Sequence, residues 1–165
     1  MVKIPCQTAP FDARALRNAF AEFATGVTVI AARGPDGTPV GLTANSFSSV
    51  SLEPALVLWC LGRDSRRFSV FNVAETFTIN ILSADQQAVS DCCASSGEIA
   101  EVAELETLAT GAPALKGACA RFDCALFKRV EAGDHVVLIG EVLAFDQPIA
   151  DSALTFFRGR YGRAG

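Results

Sequence analysis

An antiparallel β-barrel with a few helices packed outside it is the fold class this sequence predicts, and three observations predict it. Six or so apolar, β-branched-rich runs follow one another, most are joined by turn signals, and the helical stretches between them are few and short. At 165 residues, half of them apolar, the chain suits a single domain over 1–165 with a sizeable core. No internal repeat or low-complexity segment interrupts it.

The elements read as follows. Phe11, Ala15, Leu16, Ala19, Phe20 and Phe23 recur at three- and four-residue steps behind Asp12, a candidate N-cap, and predict an amphipathic helix ending near Thr25-Gly26. Val27 to Ala32 and Pro39 to Thr43 are strands of a hairpin about Gly34-Pro35-Asp36-Gly37. Ala55 to Leu61 lacks alternation and reads as a strand buried on both faces. Ser65 to Phe71 predicts a short helix capped by Asp64 or Ser65. A fourth strand over Thr76 to Leu82 and a helix over Ala84 to Cys93 come next. Residues 94 to 111 mix acidic and small side chains without a period and read as an exposed excursion. Leu115 to Val130 alternates, with Phe122, Cys124 and Leu126 on one face, and after the turn at Glu131 to Asp134 a long strand runs from His135 to Phe145. Leu154 to Phe157 is a last apolar piece before an Arg-rich tail.

Fourteen basic against 18 acidic residues leave a net charge of −4, so nothing in the composition suggests a broad basic face for nucleic acid or anionic lipid. The first residues form no apolar leader core, and no run approaches the roughly 20 apolar residues of a membrane span, which predicts a cytoplasmic protein. Six cysteines (Cys6, Cys60, Cys92, Cys93, Cys119 and Cys124) include no C-x-x-C pair, and there is one histidine, too few ligands for a zinc site. Reduced thiols serving as small core residues are expected, with a redox role for the adjacent Cys92 and Cys93 as a minor alternative.

The stretch Gly41 to Leu61 is the candidate centre of function. Its first half, Thr43 to Ser51, is rich in hydroxyls and carries one amide; short side chains let a ligand approach the backbone. A Ser-rich surface loop would look the same. Arg66-Arg67 stands in the first turn of the expected helix, where cations are unfavourable unless an anion is bound, so a phosphate site at Ser65 and Arg66 competes with a solvated basic turn. The sole histidine, in Gly133-Asp134-His135, begins a strand, where it can meet a ligand at a barrel rim or simply stay half-exposed. The tail Phe156 to Arg163 can close over a dinucleotide or fray. No G-x-G-x-x-G, G-x-x-x-x-G-K-[ST] or G-x-S-x-G motif is present, which excludes Rossmann, P-loop and nucleophile-elbow chemistry.

Taken together, residues 20–30 (FAEFATGVTVI), 41–51 (GLTANSFSSVS), Glu53-Pro54, 63–72 (RDSRRFSVFN), 77–83 (FTINILS), Gly133-Asp134-His135 and the tail FFRGRYGR resemble the short-chain flavin reductases, the components that supply reduced flavin to two-component monooxygenases. The resemblance is in order and covers nearly the whole chain. It implies a six-stranded antiparallel Greek-key barrel, the FMN-binding split barrel, forming a homodimer. It implies FMN or FAD at Thr43, Ala44, Asn45 and Ser46, with Ser48 and Ser49 nearby, Cys60 and Leu61 at the end of their strand, and Ser65, Arg66 and Phe68 on the phosphate side. NADH or NADPH would lie by His135, Arg160 and Tyr161. The implied reaction is hydride transfer from the nicotinamide to the flavin, with no side chain acting as acid or base, serving a partner flavin-dependent monooxygenase. A tightly bound flavin carrier or oxidase, and a non-catalytic flavin- or haem-binding barrel, are the alternatives. Residues 94 to 111 are shorter and more acidic than in many relatives, near the mouth of the implied site.

Overall fold

The structure is a computed structural model in which residues 9–148 and 150–165 are described; Cys6 lies outside the described residues. Helix α1 (Ala13–Phe20) starts where expected, the Asp12 carboxylate accepting from the Ala15 amide at 2.6 Å. It ends earlier than its periodicity predicts, because Thr25 and Gly26 form a short strand, β1 (Thr25–Gly26). Its aromatic stripe stays on the surface, with Phe20 and Phe23 67% and 77% exposed. Strands β2 (Thr28–Arg33) and β3 (Pro39–Ala44) make the expected hairpin, and Gly37 supplies the positive φ of its turn.

The hydroxyl-rich stretch holds a strand that its composition conceals. Strand β4 (Ser48–Leu52) pairs with β5 (Ala55–Gly62) across Glu53-Pro54; serine has little β-propensity, so the partner strand decides the conformation. β5 itself alternates. Val57, Trp59 and Leu61 are buried, while Leu56, Leu58 and Cys60 on the opposite face are only half-buried, which corrects the expectation of burial on both faces.

The helix expected from Ser65 shrinks to α2 (Phe68–Phe71), and neither Asp64 nor Ser65 caps it. Residues 63–67 are turn instead: the Phe68 amide donates to the Ser65 carbonyl at 2.9 Å, and the Ser65 hydroxyl accepts from the Arg67 amide at 3.3 Å. Strand β6 (Thr76–Ile81) and helix α3 (Gln87–Ser95) follow as expected, with Ser83 and Gln86 forming a capping box ahead of α3. The 94–111 segment is not simply exposed. Ile99 is fully buried, and β7 (Leu105–Thr107) pairs with β8 (Pro113–Leu115). The expected strand from Leu115 is divided there, and β9 (Ala120–Ala132) pairs with β10 (His135–Asp146) through the turn at Gly133. β11 (Ala153–Phe157) and β12 (Arg160–Ala164) pair with each other, so the tail is a strand and does not fray.

Seven strands make one antiparallel sheet in the order β3-β2-β6-β9-β10-β5-β4, one more than the six expected because β4 joins its edge. The sheet coils round a core: Leu42 and Ala44 of one edge strand share a cluster with Val57, Trp59 and Leu61 of β5, near the other edge, and with Phe71, Phe77 and Cys124. A second cluster, including Val29, Leu82, Val89, Ile99 and Leu154, packs α3 and the β1-β11-β12 sheet against the barrel. The fully buried Asn80 joins these layers, donating to the Val29 carbonyl at 3.0 Å and accepting from the Leu115 amide at 2.9 Å. Among the described residues, no helix is long and apolar enough to cross a membrane.

Candidate functional site

A cavity of about 340 Å³ opens where β3 runs into residues 45 and 46, beside the end of β5, the turn after it, the C-terminal end of α3 and the start of β10. It brings together Thr43, Ala44, Asn45, Ser46, Cys60, Ser65 and His135 of the expected set. It adds Leu42, Gly62, Asp64, Arg67 and Ala94, none of which was among the expected ligand contacts.

β3 is an edge strand, so one side of its backbone faces away from the ladder. On that open side the Gly41 amide donates to the Gly97 carbonyl at 2.9 Å, and the two-residue alternation of antiparallel pairing turns the Thr43 amide the same way, toward the cavity. The Thr43 hydroxyl is engaged elsewhere, donating to the Ser90 carbonyl at 2.6 Å. Ala44 is buried in the core, its carbonyl accepting the Thr28 hydroxyl at 2.6 Å, while Asn45 is exposed at the rim. The Ser46 hydroxyl accepts from the Cys60 amide at 2.9 Å. β4 pairs with β5 only as far as Leu58, so Ser46 takes the amide that the ladder leaves over.

The phosphate-side expectation changes in detail. Ser65 lines the cavity, but Arg66 is exposed outside it and Phe68 packs against the core. A four-residue α2 offers no extended helix N-terminus. Arg67 enters the cavity wall in place of Arg66, because the turn sends the two neighbours to opposite sides. Its guanidinium donates to the carbonyls of Cys93 at 2.8 Å and Ser95 at 3.0 Å, and burial pulls its pKa below the usual arginine value. The Leu61 side chain is fully buried in the barrel core and is not part of the cavity lining, so a contact with flavin there would fall to its backbone. Strand alternation gives the reason: Cys60 and Gly62 share the opposite face.

Ser48 lies in a neighbouring cleft of about 550 Å³, which shares Asn45 and Ser46 with the polar cavity and carries Phe20, Phe23, Phe156, Arg17 and Arg158. Ser49 is on exposed β4, in neither space. At the start of β10, His135 Nδ1 donates to Asp134 Oδ1 at 2.8 Å, and this bond holds the Asp134 carboxyl below its ordinary range. Nε2 is left on the Gly62 side, where a Cβ added to Gly62 would lie 3.5 Å from it and 3.0 Å from Asp64 Oδ1. Arg160 and Tyr161 do not join His135. They line a separate cleft with Phe157 and Arg158, and the Tyr161 hydroxyl is bonded to the Ser90 hydroxyl at 2.8 Å.

Cys60, Cys92, Cys93, Cys119 and Cys124 are all free. Burial pushes the Cys93 and Cys124 thiols up to about 12, as expected of core residues. Among the described residues no group of three or more His, Cys, Asp or Glu side chains is placed to hold a metal. An open strand edge presenting the Thr43 amide, short side chains around it and a cation in the wall fit a flat heteroaromatic ring with a polar edge and an anionic substituent. A flavin meets that description.

The comparisons with known proteins agree. Residues 20–165 match the model of the flavin reductase like domain. The chain is 41% identical to the FMN reductase (NADH) SmoA of Agrobacterium fabrum, over 92% of this chain and 86% of that one. It is 42% identical to the reductase component of a flavin-dependent trigonelline monooxygenase of Acinetobacter baylyi, over 90% of this chain and 48% of that one. Among solved structures, the NADH:FAD oxidoreductase SgcE6 of Streptomyces globisporus, in complex with NAD and FAD fragments, superposes with a TM-score of 0.88 at 35% identity, covering 98% of each chain. The chain spans about half the length of some of the curated relatives it matches. Fold, cavity and sequence therefore converge, and the chain belongs to the flavin reductase-like domain family.

Proposed function

We propose that this protein is an NAD(P)H-dependent flavin reductase that hands reduced FMN or FAD to a partner flavin-dependent monooxygenase. The observation that carries the reading is the polar cavity in which the open edge of β3, Ser46, Cys60, Ser65, Arg67 and His135 converge. When both cofactors are bound, the nicotinamide supplies a hydride and the flavin accepts it, chemistry that belongs to the cofactors. The chain's part is to bind and orient. The Thr43 amide and the Asn45 side chain would hold the polar edge of the flavin ring, and donors aimed where negative charge gathers need no acid or base beside them. Ser65 and Arg67 would face its phosphate. His135, with Nδ1 committed to Asp134, keeps Nε2 for the nicotinamide nucleotide; Arg160 and Tyr161 line a separate cleft, joined to the cavity through Ser90, whose hydroxyl meets that of Tyr161 and whose carbonyl accepts from Thr43.

A homodimer is part of the same reading. It is supported by large apolar side chains left exposed on strands of the main sheet: Phe127 on β9 and Leu143 and Phe145 on β10, which are neighbours, and Leu52 on β4, at the sheet edge beyond β5. We place the protein in the cytoplasm, where free flavin and NADH are available, and a monooxygenase partner follows from relatives that are reductase components.

The test is NADH oxidation by the purified protein with and without added FMN or FAD, in air and then anaerobically. Turnover that requires free flavin, with anaerobic bleaching of the added pool, supports a reductase that treats flavin as substrate. A protein that binds flavin without turnover overturns it in favour of a carrier or binding module.

A further inference from the structure

Helix α3 ends at the cavity: Ala94 lines the wall beside Arg67. The last carbonyls of a helix lack intrahelical partners and concentrate about half a unit of negative charge. Left bare, this end of α3 would make the wall hostile to a phosphate or to the anionic edge of a reduced flavin. The Arg67 guanidinium lies on these carbonyls, with Nη2 2.8 Å from the Cys93 oxygen and 3.5 Å from that of Ala94, and Nη1 3.0 Å from that of Ser95. Its Nε is buried without a partner, tight against Gly97, where an added Cβ would fall 2.6 Å from Arg67 Cδ and 3.2 Å from Nε. The side chain is thus held in one place. Its Nη1 and Nη2 groups are bonded to the helix end, but its full charge exceeds the helix's partial one.

We propose that Arg67 is the charge-setting residue of the α3 wall of this cavity: by capping the C-terminus of α3 it converts that partially negative wall into a net positive one, against the Asp64 carboxylate elsewhere in the lining, and that wall thereby selects an anionic ligand. For the identity of that ligand the proposal rests on the flavin reductase reading. The negative charge can come from the flavin phosphate or from the reduced ring, and the two sources separate in the test.

Oxidised riboflavin, oxidised FMN and anaerobically reduced FMN are titrated against wild type, Arg67→Gln and Arg67→Lys, with melting temperatures recorded alongside. The expected result is that Arg67→Gln weakens an anionic ligand about fivefold or more relative to neutral riboflavin, while Arg67→Lys keeps most of the preference. Loss confined to FMN over riboflavin assigns the charge to the phosphate; extra loss for reduced FMN assigns it to the ring. Equal weakening of all three ligands, by Gln and Lys alike, overturns the proposal and leaves Arg67 a purely structural cap. If Arg67→Gln does not fold, Arg67→Lys decides alone: it keeps the charge without reaching every carbonyl, so a retained preference supports the proposal and a lost one overturns it. Should wild type bind no flavin, the reductase reading fails first. Inorganic pyrophosphate then tests Arg67, with binding by wild type but not by Arg67→Gln expected, and equal or absent binding by both overturning the proposal.

Discussion

The Ser46 hydroxyl accepts the Cys60 amide at 2.9 Å, and this bond fastens the 45–47 turn to the end of β5 exactly where the β4 ladder has stopped. Without it a half-buried amide loses its partner, at a cost of about 1 kcal/mol. Ser46→Ala is therefore expected to raise the KM for flavin about fivefold while leaving the KM for NADH and the fold in place. Steady-state kinetics with each substrate varied in turn check this; a change in the NADH term alone would put Ser46 on the other ligand.

Two glycines near the cavity should behave differently. At Gly41 an added Cβ would lie 2.0 Å from Ile99 Cγ2 and 2.5 Å from Cys93 Sγ, both on fully buried side chains. Gly41→Ala should destabilise the protein by about 1–3 kcal/mol or more, since a packed core cannot yield that distance cheaply. At Gly62 the contacts are 3.0 Å and 3.5 Å, to Asp64 and His135 in the open cavity. Gly62→Ala should melt close to wild type and bind its ligands less well. Thermal melts and flavin titrations of the pair separate the two effects.

What the sequence disclosed and what it hid follow from the range of the forces involved. Asp12 as N-cap, the β2-β3 hairpin and the inward face of Phe122 and Cys124 depend on neighbours within a few residues, and all were legible. β4 was not: its serines become a strand only because β5 returns beside them. The site shows the same division. The polar stretch from Thr43 to Ser46 announces itself by composition, whereas Leu61 is withdrawn by a one-residue parity that an unbroken apolar run conceals. Arg66 and Arg67 are alike in sequence, and only the turn, with α3 packed against it, decides which one faces inward. Ala94 reaches the cavity from a helix end that shows no local sign of its destination.

Acid should loosen the junction between β9 and β10. Arg121 Nε donates to Asp146 Oδ1 at 2.8 Å, and Glu106 is its second carboxylate partner. The bond from Arg121, the largest influence, holds the Asp146 carboxyl below its ordinary value of 3.8. A depressed folded-state pKa contributes stability that is present above that ordinary value and is lost as pH falls through the folded one. The Asp146 side chain is 44% exposed, so solvent screening keeps the contribution below about 1 kcal/mol. Urea unfolding should show Asp146→Asn less stable than wild type near neutrality, with the difference closing below about pH 4. A difference that does not change with pH would remove Asp146 from the acid response.

Thiol reactivity should divide along burial. Cys93 and Cys124, pushed to about 12, have almost no thiolate near pH 8, whereas Cys60 and Cys92 are half-buried. A chromogenic disulfide reagent should therefore react in the native state while sparing Cys93 and Cys124, and reach all six cysteines only in denaturant. Mass mapping of the labelled peptides checks the order, and early labelling of Cys93 would mean that α3 opens readily.

The barrel core turns on Trp59, fully buried, with Phe71 and Phe77 set edge-on to it at ring separations of 5.6 Å and 6.0 Å. Its indole N–H has no hydrogen-bond partner. Two effects oppose each other in a substitution. Trp59→Ala loses both rings' contacts and leaves a cavity, an expected cost of about 3–5 kcal/mol. Trp59→Phe also leaves a void, but it keeps an aromatic ring against both neighbours and removes the unpaired donor, whose burial costs about 1–3 kcal/mol. The Phe variant should therefore lose less than half of what the Ala variant loses, as measured by urea unfolding. Equal losses would mean that volume alone sets the stability of this core and that the unpaired N–H costs nothing.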